Sequence, residues 1–168
     1  AAQLYSPNQI AATPVLTLNN VVMDHTGTGV TISATNAPDM ILGANGMLTL
    51  AQGKIITPNS QEVIINNTAN SSVTAGNVNS YVQGNLRRYL AAGATGSFDF
   101  PVGHAVPGYE LANITFASAA AASTFSLLAR FDPWGGLWTL PGTPGWGPEC
   151  GVTYNAPYLD NGYWSIDA

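Results

Sequence analysis

The sequence predicts an all-β chain in which short β-solenoid rungs, the stacked coils of a β-helix, are followed by an antiparallel β-sandwich. The first observation is alternation: between residues 15 and 65, pairs such as Leu16/Leu18 and Val30/Ile32 flank a single Thr, which is the period of a strand. The second is that runs of turn-forming residues separate these apolar stretches, such as "DHTGTG", "TNAPD", "GANG" and "TPNS". In this half of the chain no segment keeps a helical pattern over about ten residues.

The first predicted unit, residues 1–67, holds the solenoid rungs. Apolar strand cores recur roughly every fifteen residues, a spacing typical of units that each bury one face on the next. A plain antiparallel meander gives nearly the same pattern, so this alternative stays open. The cores are Leu16–Leu18, Val30–Ile32, Leu48–Leu50 and Val63–Ile65.

The second half of the chain predicts the sandwich. Residues 68–80, "TANSSVTAGNVNS", are polar and predict a connecting loop, and residues 81–168 predict antiparallel strands. The segment 116–131 has a rival interpretation, because its alanine run favours a helix. We favour strand–loop–strand, since the alanines offer no large apolar face and Phe125, Leu127 and Phe131 alternate with period two.

The stretch "SFDFPVGH", residues 97–104, predicts the end of a strand. Phe98 and Phe100 share one face and are expected in the core, with Asp99 pointing outward. Pro101 lacks a backbone N–H and is expected to end the pairing, and Gly103 is expected to turn the chain. Trp164, in the terminal "GYWSI", is also expected in the core.

The charge balance argues against nucleic acid as a partner. The chain has four Lys/Arg, nine Asp/Glu and a formal net charge of −5, whereas phosphate neutralisation needs clustered Lys and Arg. Arg87, Arg88 and Arg130 are expected at exposed strand positions or in weak local ion pairs. No apolar run reaches the ~18 residues of a membrane span. The partners expected are the rest of a longer chain or further copies of this one.

No catalytic or metal-binding constellation is recognisable, so no cofactor, metal or catalytic residue is predicted. His25 and His104 are far apart and lack metal-ligand spacing, and both are interpreted as turn residues. The serines lack a GxSxG elbow. The sparse carboxylates leave one enzymatic alternative, a β-helix glycoside hydrolase or lyase, which requires the fold to bring two of them together.

The loop 133–149, "PWGGLWTLPGTPGWGPE", carries three tryptophans in a Gly- and Pro-rich setting. Trp134, Trp138 and Trp146 are candidate contacts for a glycan or partner, because exposed aromatic rings stack on sugar faces and anchor interfaces. The competing interpretation is that they fold back over an open sandwich edge. Cys150 is the only cysteine, so it is a candidate for an intermolecular disulfide or a small buried hydrophobe.

Three stretches resemble a module of very large secreted and surface proteins of Bacteroidetes-type bacteria. "LTLAQGKIIT" resembles that family's last solenoid rungs, "SYVQGNLRRYLAAGATGSFDFPVG" a Ser-Tyr-Val strand followed by a Phe-x-Phe-Pro-Val-Gly strand, and "NGYWSID" a later Gly-Tyr-Trp strand. The matching residues are Leu48, Leu50, Gly53, Ile55, Thr57, Ser80, Tyr81, Val82, Gly84, Leu86, Arg88, Phe98, Phe100, Pro101, Val102, Gly103, Tyr109, Gly162, Tyr163 and Trp164.

The resemblance implies an extracellular, non-enzymatic segment, structural or adhesive, of a protein exported by the type IX secretion system. Such proteins serve as adhesins, gliding-associated filaments or other surface structures, and the pattern carries no catalytic residues. The chain lacks an initial Met and stops within an apparent strand, so we expect a piece of a longer protein with an incomplete sandwich. Low charge and abundant Asn and Thr suit lateral packing into a filament or sheath. The alternatives are a carbohydrate-binding module using the tryptophan loop, and the β-helix enzyme.

Overall fold

The computed structural model describes residues 3–5, 17–27, 29–32, 39–58, 60–118, 121–133 and 162–167. Over these residues the chain is all-β, as predicted, with one 3₁₀ turn at Asn70–Ser72 and no α-helix. The strands in chain order are β1 (Gln3–Tyr5), β2 (Thr17–Asp24), β3 (Val30–Ile32), β4 (Met40–Gln52), β5 (Ile55–Ile56), β6 (Glu62–Ile65), β7 (Val82–Gln83), β8 (Asn85–Leu90), β9 (Gly96–Gly103), β10 (Tyr109–Phe116), β11 (Phe125–Pro133) and β12 (Gly162–Asp167).

The strands form two six-stranded sheets, and from β1 to β9 the chain alternates between them. Sheet A has the order β1-β3-β5-β7-β9-β10, and sheet B has the order β12-β11-β8-β6-β4-β2. The first five strands of sheet A are mutually parallel, and so are β2, β4, β6 and β8 of sheet B. This arrangement is a β-solenoid of about three turns, which confirms the predicted rungs over the antiparallel meander.

The length of one coil differs from the predicted spacing of fifteen residues. In sheet B, Met40 pairs with Val63 and Val63 with Leu86, an interval of 23 residues at each step. In sheet A, Val30 pairs with Ile55 and Ile55 with Val82, at intervals of 25 and 27 residues. The shorter apparent period arose because successive apolar stretches alternate between the two sheets or lie on one long strand.

Strand β4 is that long strand, and it contains the "GANG" run predicted as a turn. The register to β2 shifts between Leu18 and Asn20, so residues 43–46 form an irregularity within one continuous strand. Asn20 Oδ1 accepts the Met47 N–H at 3.1 Å, and Asn67 Nδ2 donates to the Gly46 carbonyl at 3.0 Å. Side-chain amides on both neighbouring coils therefore satisfy backbone groups that the bulge would leave unpaired.

The C-terminal strands extend the two sheets with antiparallel pairs. Strand β10 pairs with β9, and β8, β11 and β12 pair in succession. Strands from both sides of residues 68–80 are hydrogen-bonded in the same sheets. In the disputed segment, the described residues 116–118 and 121–131 form strand, bends and strand rather than helix. The division into 1–67, 68–80 and 81–168, and a sandwich as a separate unit, stay predictions.

The core lies between the two sheets and confirms part of the interpretation of "SFDFPVGH". Phe98 and Phe100 are buried, but Pro101 does not end the pairing, because β9 continues to Gly103. Pro101 lies opposite Leu111 of β10, and Val102 still pairs with Val82. Gly103 remains in the strand instead of turning the chain. A Cβ at this position would overlap the Gly108 carbonyl and the Tyr81 ring, so close approach excludes any side chain here.

Candidate functional site

The four site residues predicted from the sequence, Trp134, Trp138, Trp146 and Cys150, lie outside the described residues. Their proposed contacts with a glycan, and the proposed disulfide, therefore stay predictions. The strands that flank their segment are described. Pro133, the last residue of β11, is paired with Gly162, the first residue of β12.

Strand β12 carries partly exposed apolar side chains, and it is the last strand of sheet B among the described residues. Trp164 lies directly opposite Phe131 of β11, and Ile166 lies opposite Ala129. Directly opposed residues of an antiparallel pair point to the same side of the sheet, so Trp164 and Ile166 point towards the core side. Phe131 and Ala129 are buried there, but Trp164 is 39% and Ile166 42% exposed. The expectation that Trp164 lies in the core was wrong.

The Trp164 ring is nevertheless held in a defined position. Its centroid lies 5.6 Å from that of Phe131 with the ring planes at 70°, an edge-to-face contact. The exposed indole thus continues the aromatic core outward from β11. A flat aromatic surface with a fixed orientation can pack against apolar side chains or a sugar ring.

Two other outermost strands have a similar surface. Val22 on β2 is 64% exposed, and Leu111 on β10 is 37% exposed. None of β2, β10 and β12 contains Lys or Pro, two residues with which proteins commonly protect a sheet edge from pairing, and each contains only one charged residue, Asp24, Glu110 and Asp167, respectively. Each strand is the last of its sheet among the described residues, so these edges are chemically suited to strand addition.

Arg88 lies fully buried in the core, which contradicts its predicted exposure. It occupies a core-facing ladder in register with Ile65 of β6 and Leu127 of β11. The guanidinium lies 5.4 Å from the Phe98 ring centroid and 5.6 Å from that of Phe100. Burial lowers the pKa of Arg88 to about 10, an effect that the nearby Asp99 carboxylate opposes.

The Arg88 guanidinium joins three parts of the chain. Nη1 donates to the Asp99 carbonyl of β9 at 2.7 Å, across the core from β8. Nη2 donates to the carbonyls of Ala69 and Asn70 and to Ser72 Oγ, each at 3.0 Å. These bonds fix the 3₁₀ turn against both sheets, so the role of Arg88 in the described structure is internal cross-linking.

The sequence did hold a signal for this burial. In "NLRRYL", Leu86, Arg88 and Leu90 alternate, and a strict period of two places Arg88 on the same face as the two leucines. The charge argues against burial, since arginine is rarely fully buried. The sequence does not indicate the acceptors, because they are a serine hydroxyl and backbone carbonyls of the turn and of β9, with no carboxylate among them.

The other two predicted arginines form local ion pairs, as expected. Arg87 contacts both carboxylate oxygens of Glu62, at 2.6 and 2.9 Å, and donates to Ser126 Oγ at 3.1 Å. Glu62 raises the pKa of Arg87 through this hydrogen bond. Arg130 Nε lies 2.7 Å from Asp132 Oδ2 on the exposed side of β11. Such partly exposed pairs are worth little individually.

The histidines occupy turns, as interpreted from the sequence. His25 Nδ1 accepts the Gly27 N–H at 2.9 Å, and His104 Nδ1 lies 3.2 Å from the Val106 carbonyl oxygen. Within the described ranges, no group of three or more His, Cys, Asp or Glu is placed to hold a metal ion. A search of the same residues finds no helix with the length and hydropathy of a membrane span.

Two tyrosines tie the loops at one end of sheet A. Tyr81 is buried, and its hydroxyl donates to the His104 carbonyl at 3.0 Å, while the Tyr109 hydroxyl donates to the Ala75 carbonyl. Their ring centroids lie 5.9 Å apart, and Lys54 Nζ lies 4.8 Å from the Tyr81 ring centroid. Burial raises the pKa of Tyr109, and Asp99 adds to the shift.

Comparisons with known proteins add no relative. A scan against protein-family models gives no match, and searches of the curated proteins and of the solved structures give no significant match.

Proposed function

We propose that this chain is a structural and adhesive, non-enzymatic segment of a large bacterial surface protein, and that its copies assemble into a filament or sheath. The observation that carries the proposal is the stack of coils in register. Each coil buries its apolar face against the coils before and after it, as in the ladder Met40, Val63 and Leu86. Such an architecture is extended by adding further coils or further copies along one axis.

The surface chemistry supports a role in assembly. Only 8% of the residues are charged, so few charged groups have to be desolvated when copies pack together. The edge strands β2, β10 and β12 carry exposed apolar side chains, no Lys or Pro, and one acidic residue each. Such edges lack the lysines and prolines that commonly prevent pairing with further strands.

The extracellular location and the export route rest on the resemblance described above. Its most specific motif residues in the described chain are architectural: Tyr81, Leu86, Phe98 and Phe100 are all buried. In the proposal, the antiparallel strands β10, β11 and β12 belong to the sandwich that follows the solenoid. The location fits a chain with one cysteine and abundant uncharged polar residues, although neither feature is specific to secreted proteins.

Self-association of the purified chain tests the proposal. We expect sedimentation velocity and light scattering at neutral pH to give a mass that grows with protein concentration beyond a dimer. Elongated particles in electron micrographs of the concentrated sample would accompany this growth. A chain that stays monomeric at every concentration reached would contradict the assembly on which the proposal depends.

A further inference from the structure

The two ends of sheet B have matching strand directions. Strands β2, β4, β6 and β8 are parallel, β11 is antiparallel to β8, and β12 is antiparallel to β11. Strand β12 therefore runs in the same direction as β2, the strand at the opposite end of the sheet. A second copy moved along the sheet without rotation brings its β2 beside β12 as a parallel neighbour, as in every coil of the solenoid.

The core-facing sides of these two strands are also incompletely covered. On β12, Trp164 and Ile166 point to the core side but remain 39% and 42% exposed. On β2, Leu18 and Val21 pack against the core yet are only partly buried. When the two strands lie side by side, these apolar side chains cover one another, and the core of one copy continues into the next.

From these observations we infer that β12 of one copy binds β2 of the next, head to tail, so that sheet B continues from copy to copy. The occupant of the open β12 edge is thus a second copy of this chain. Backbone hydrogen bonds supply the pairing, and the four apolar side chains set the register. In sheet A the same translation places β1 of the next copy antiparallel to β10, because β10 reverses the direction of β9. This inference rests on the proposed function, since it specifies how the copies assemble.

Three lysine substitutions test the inference on the full chain. Ile166→Lys places a charge on the core-facing side of β12, and Val21→Lys places one on the core-facing side of β2, where Val21 is only partly buried. Met47→Lys is the matched control: Met47 is 42% exposed, like Ile166, but lies on the interior strand β4 of the same sheet. Each variant adds one positive charge at an apolar position of sheet B that is not fully buried.

We expect Ile166→Lys and Val21→Lys each to weaken self-association at least ~10-fold, about 1.4 kcal/mol, and Met47→Lys to leave it unchanged. Mixing the first two variants should restore one-to-one dimers, because the Ile166→Lys copy keeps an intact β2 and the Val21→Lys copy keeps an intact β12. This restoration also shows that neither variant has merely failed to fold.

The outcomes separate this inference from the proposed function. If the unmodified chain associates and all three variants associate equally, the β12–β2 interface is wrong while the assembly role stands. If Ile166→Lys alone weakens association and mixing restores nothing, the contact is β12 to β12 and the head-to-tail direction is wrong. If the unmodified chain is monomeric, another part of the same chain or a different protein covers β12, and both proposals fail.

Discussion

Arg88 lies where the two sheets and the 3₁₀ turn meet. A buried guanidinium is costly to desolvate. Here Nη1 and Nη2 donate to neutral carbonyls and a hydroxyl instead of a carboxylate, and Nε has no hydrogen-bond partner among the described residues. The arrangement resembles the capping of a helix end, because two of the acceptors are the Ala69 and Asn70 carbonyls at the start of the 3₁₀ turn. The Arg88 side chain reaches these acceptors from β8 of sheet B. The rings of Phe98 and Phe100, on β9 of sheet A, contact its guanidinium.

Arg88→Ala should therefore destabilise the chain strongly. It removes the hydrogen bonds of the guanidinium to the Asp99 and Asn70 carbonyls and to Ser72 Oγ, each worth about 1.5–3 kcal/mol, and opens a cavity. We expect the free energy of unfolding in urea to fall by about 3 kcal/mol or more. Arg130→Ala, which removes an exposed arginine paired with Asp132, should change it by less than about 1 kcal/mol. Equal effects of the two substitutions would disprove the cross-linking role.

Tyr109 makes stability depend on pH at the alkaline end. Because its pKa is raised in the folded chain, the unfolded phenol loses its proton first, and the free energy of unfolding falls as pH rises above about 10. Arg88 acts in the opposite direction there, since its folded pKa of about 10 lies below the usual 12.5. Tyr109→Phe removes only the first contribution. Melting temperatures of the variant should fall less steeply between about pH 9.5 and 11 than those of the unmodified chain. If the melting temperatures of both proteins fall with the same slope, Tyr109 does not contribute to the pH dependence of stability.

The turns between the strands set the spacing of the coils. At one corner, Thr57 Oγ1 accepts the buried Asn85 N–H at 2.7 Å, and Asn85 Nδ2 donates to the Gln61 carbonyl at 3.0 Å. Gly84 between them has φ +124°, and a Cβ there would overlap Thr57 Oγ1. Thr74 and Asp39 similarly accept backbone N–H groups of Leu50 and Glu62 on adjacent coils. Short polar side chains thus hold neighbouring coils in register.

Thr57→Val tests the importance of such a corner. The substitution keeps the side-chain shape but removes the acceptor, so the Asn85 N–H loses its hydrogen bond to the Thr57 hydroxyl, at a cost of about 1–3 kcal/mol. Thr115→Val on the exposed side of β10 is the matched control, because water can replace the hydrogen bonds of its hydroxyl. We expect a clear loss of unfolding free energy for the first variant alone. A similar loss of unfolding free energy in both variants would mean that the hydrogen bond between Thr57 and Asn85 does not stabilise the fold.

At the level of strands, local sequence patterns predicted which segments form strands better than they predicted where those strands end. The alternation of Phe98 and Phe100 identified a buried strand, and that of Phe125 to Phe131 excluded the alanine-rich helix. The ends of β4 and β9 were misjudged, because glycine and proline act as breakers only when their backbone groups lack other partners. In β4, Asn20 and Asn67 supply those partners.

At the level of the whole molecule, the sequence predicted the fold class and the solenoid but not the stacking interval. Periodicity reports which stretches are strands, whereas the interval depends on which stretches share a sheet. The open face of β12 was unpredictable for the same reason. Trp164 and Ile166 alternate like core residues. Their exposure follows from the position of β12 at the end of sheet B, which the local sequence pattern does not reveal.

The parallel coils also constrain how the chain acquires its structure. Every parallel partner lies close in sequence, from 20 residues for Val82 and Val102 to 28 for Asp24 and Gln52. Each parallel strand can therefore pair as soon as one further coil of chain is available. A chain emerging amino end first from a ribosome or a secretion pore can therefore lay down each coil on the one before it. No parallel strand has to wait for the far end of the chain to appear.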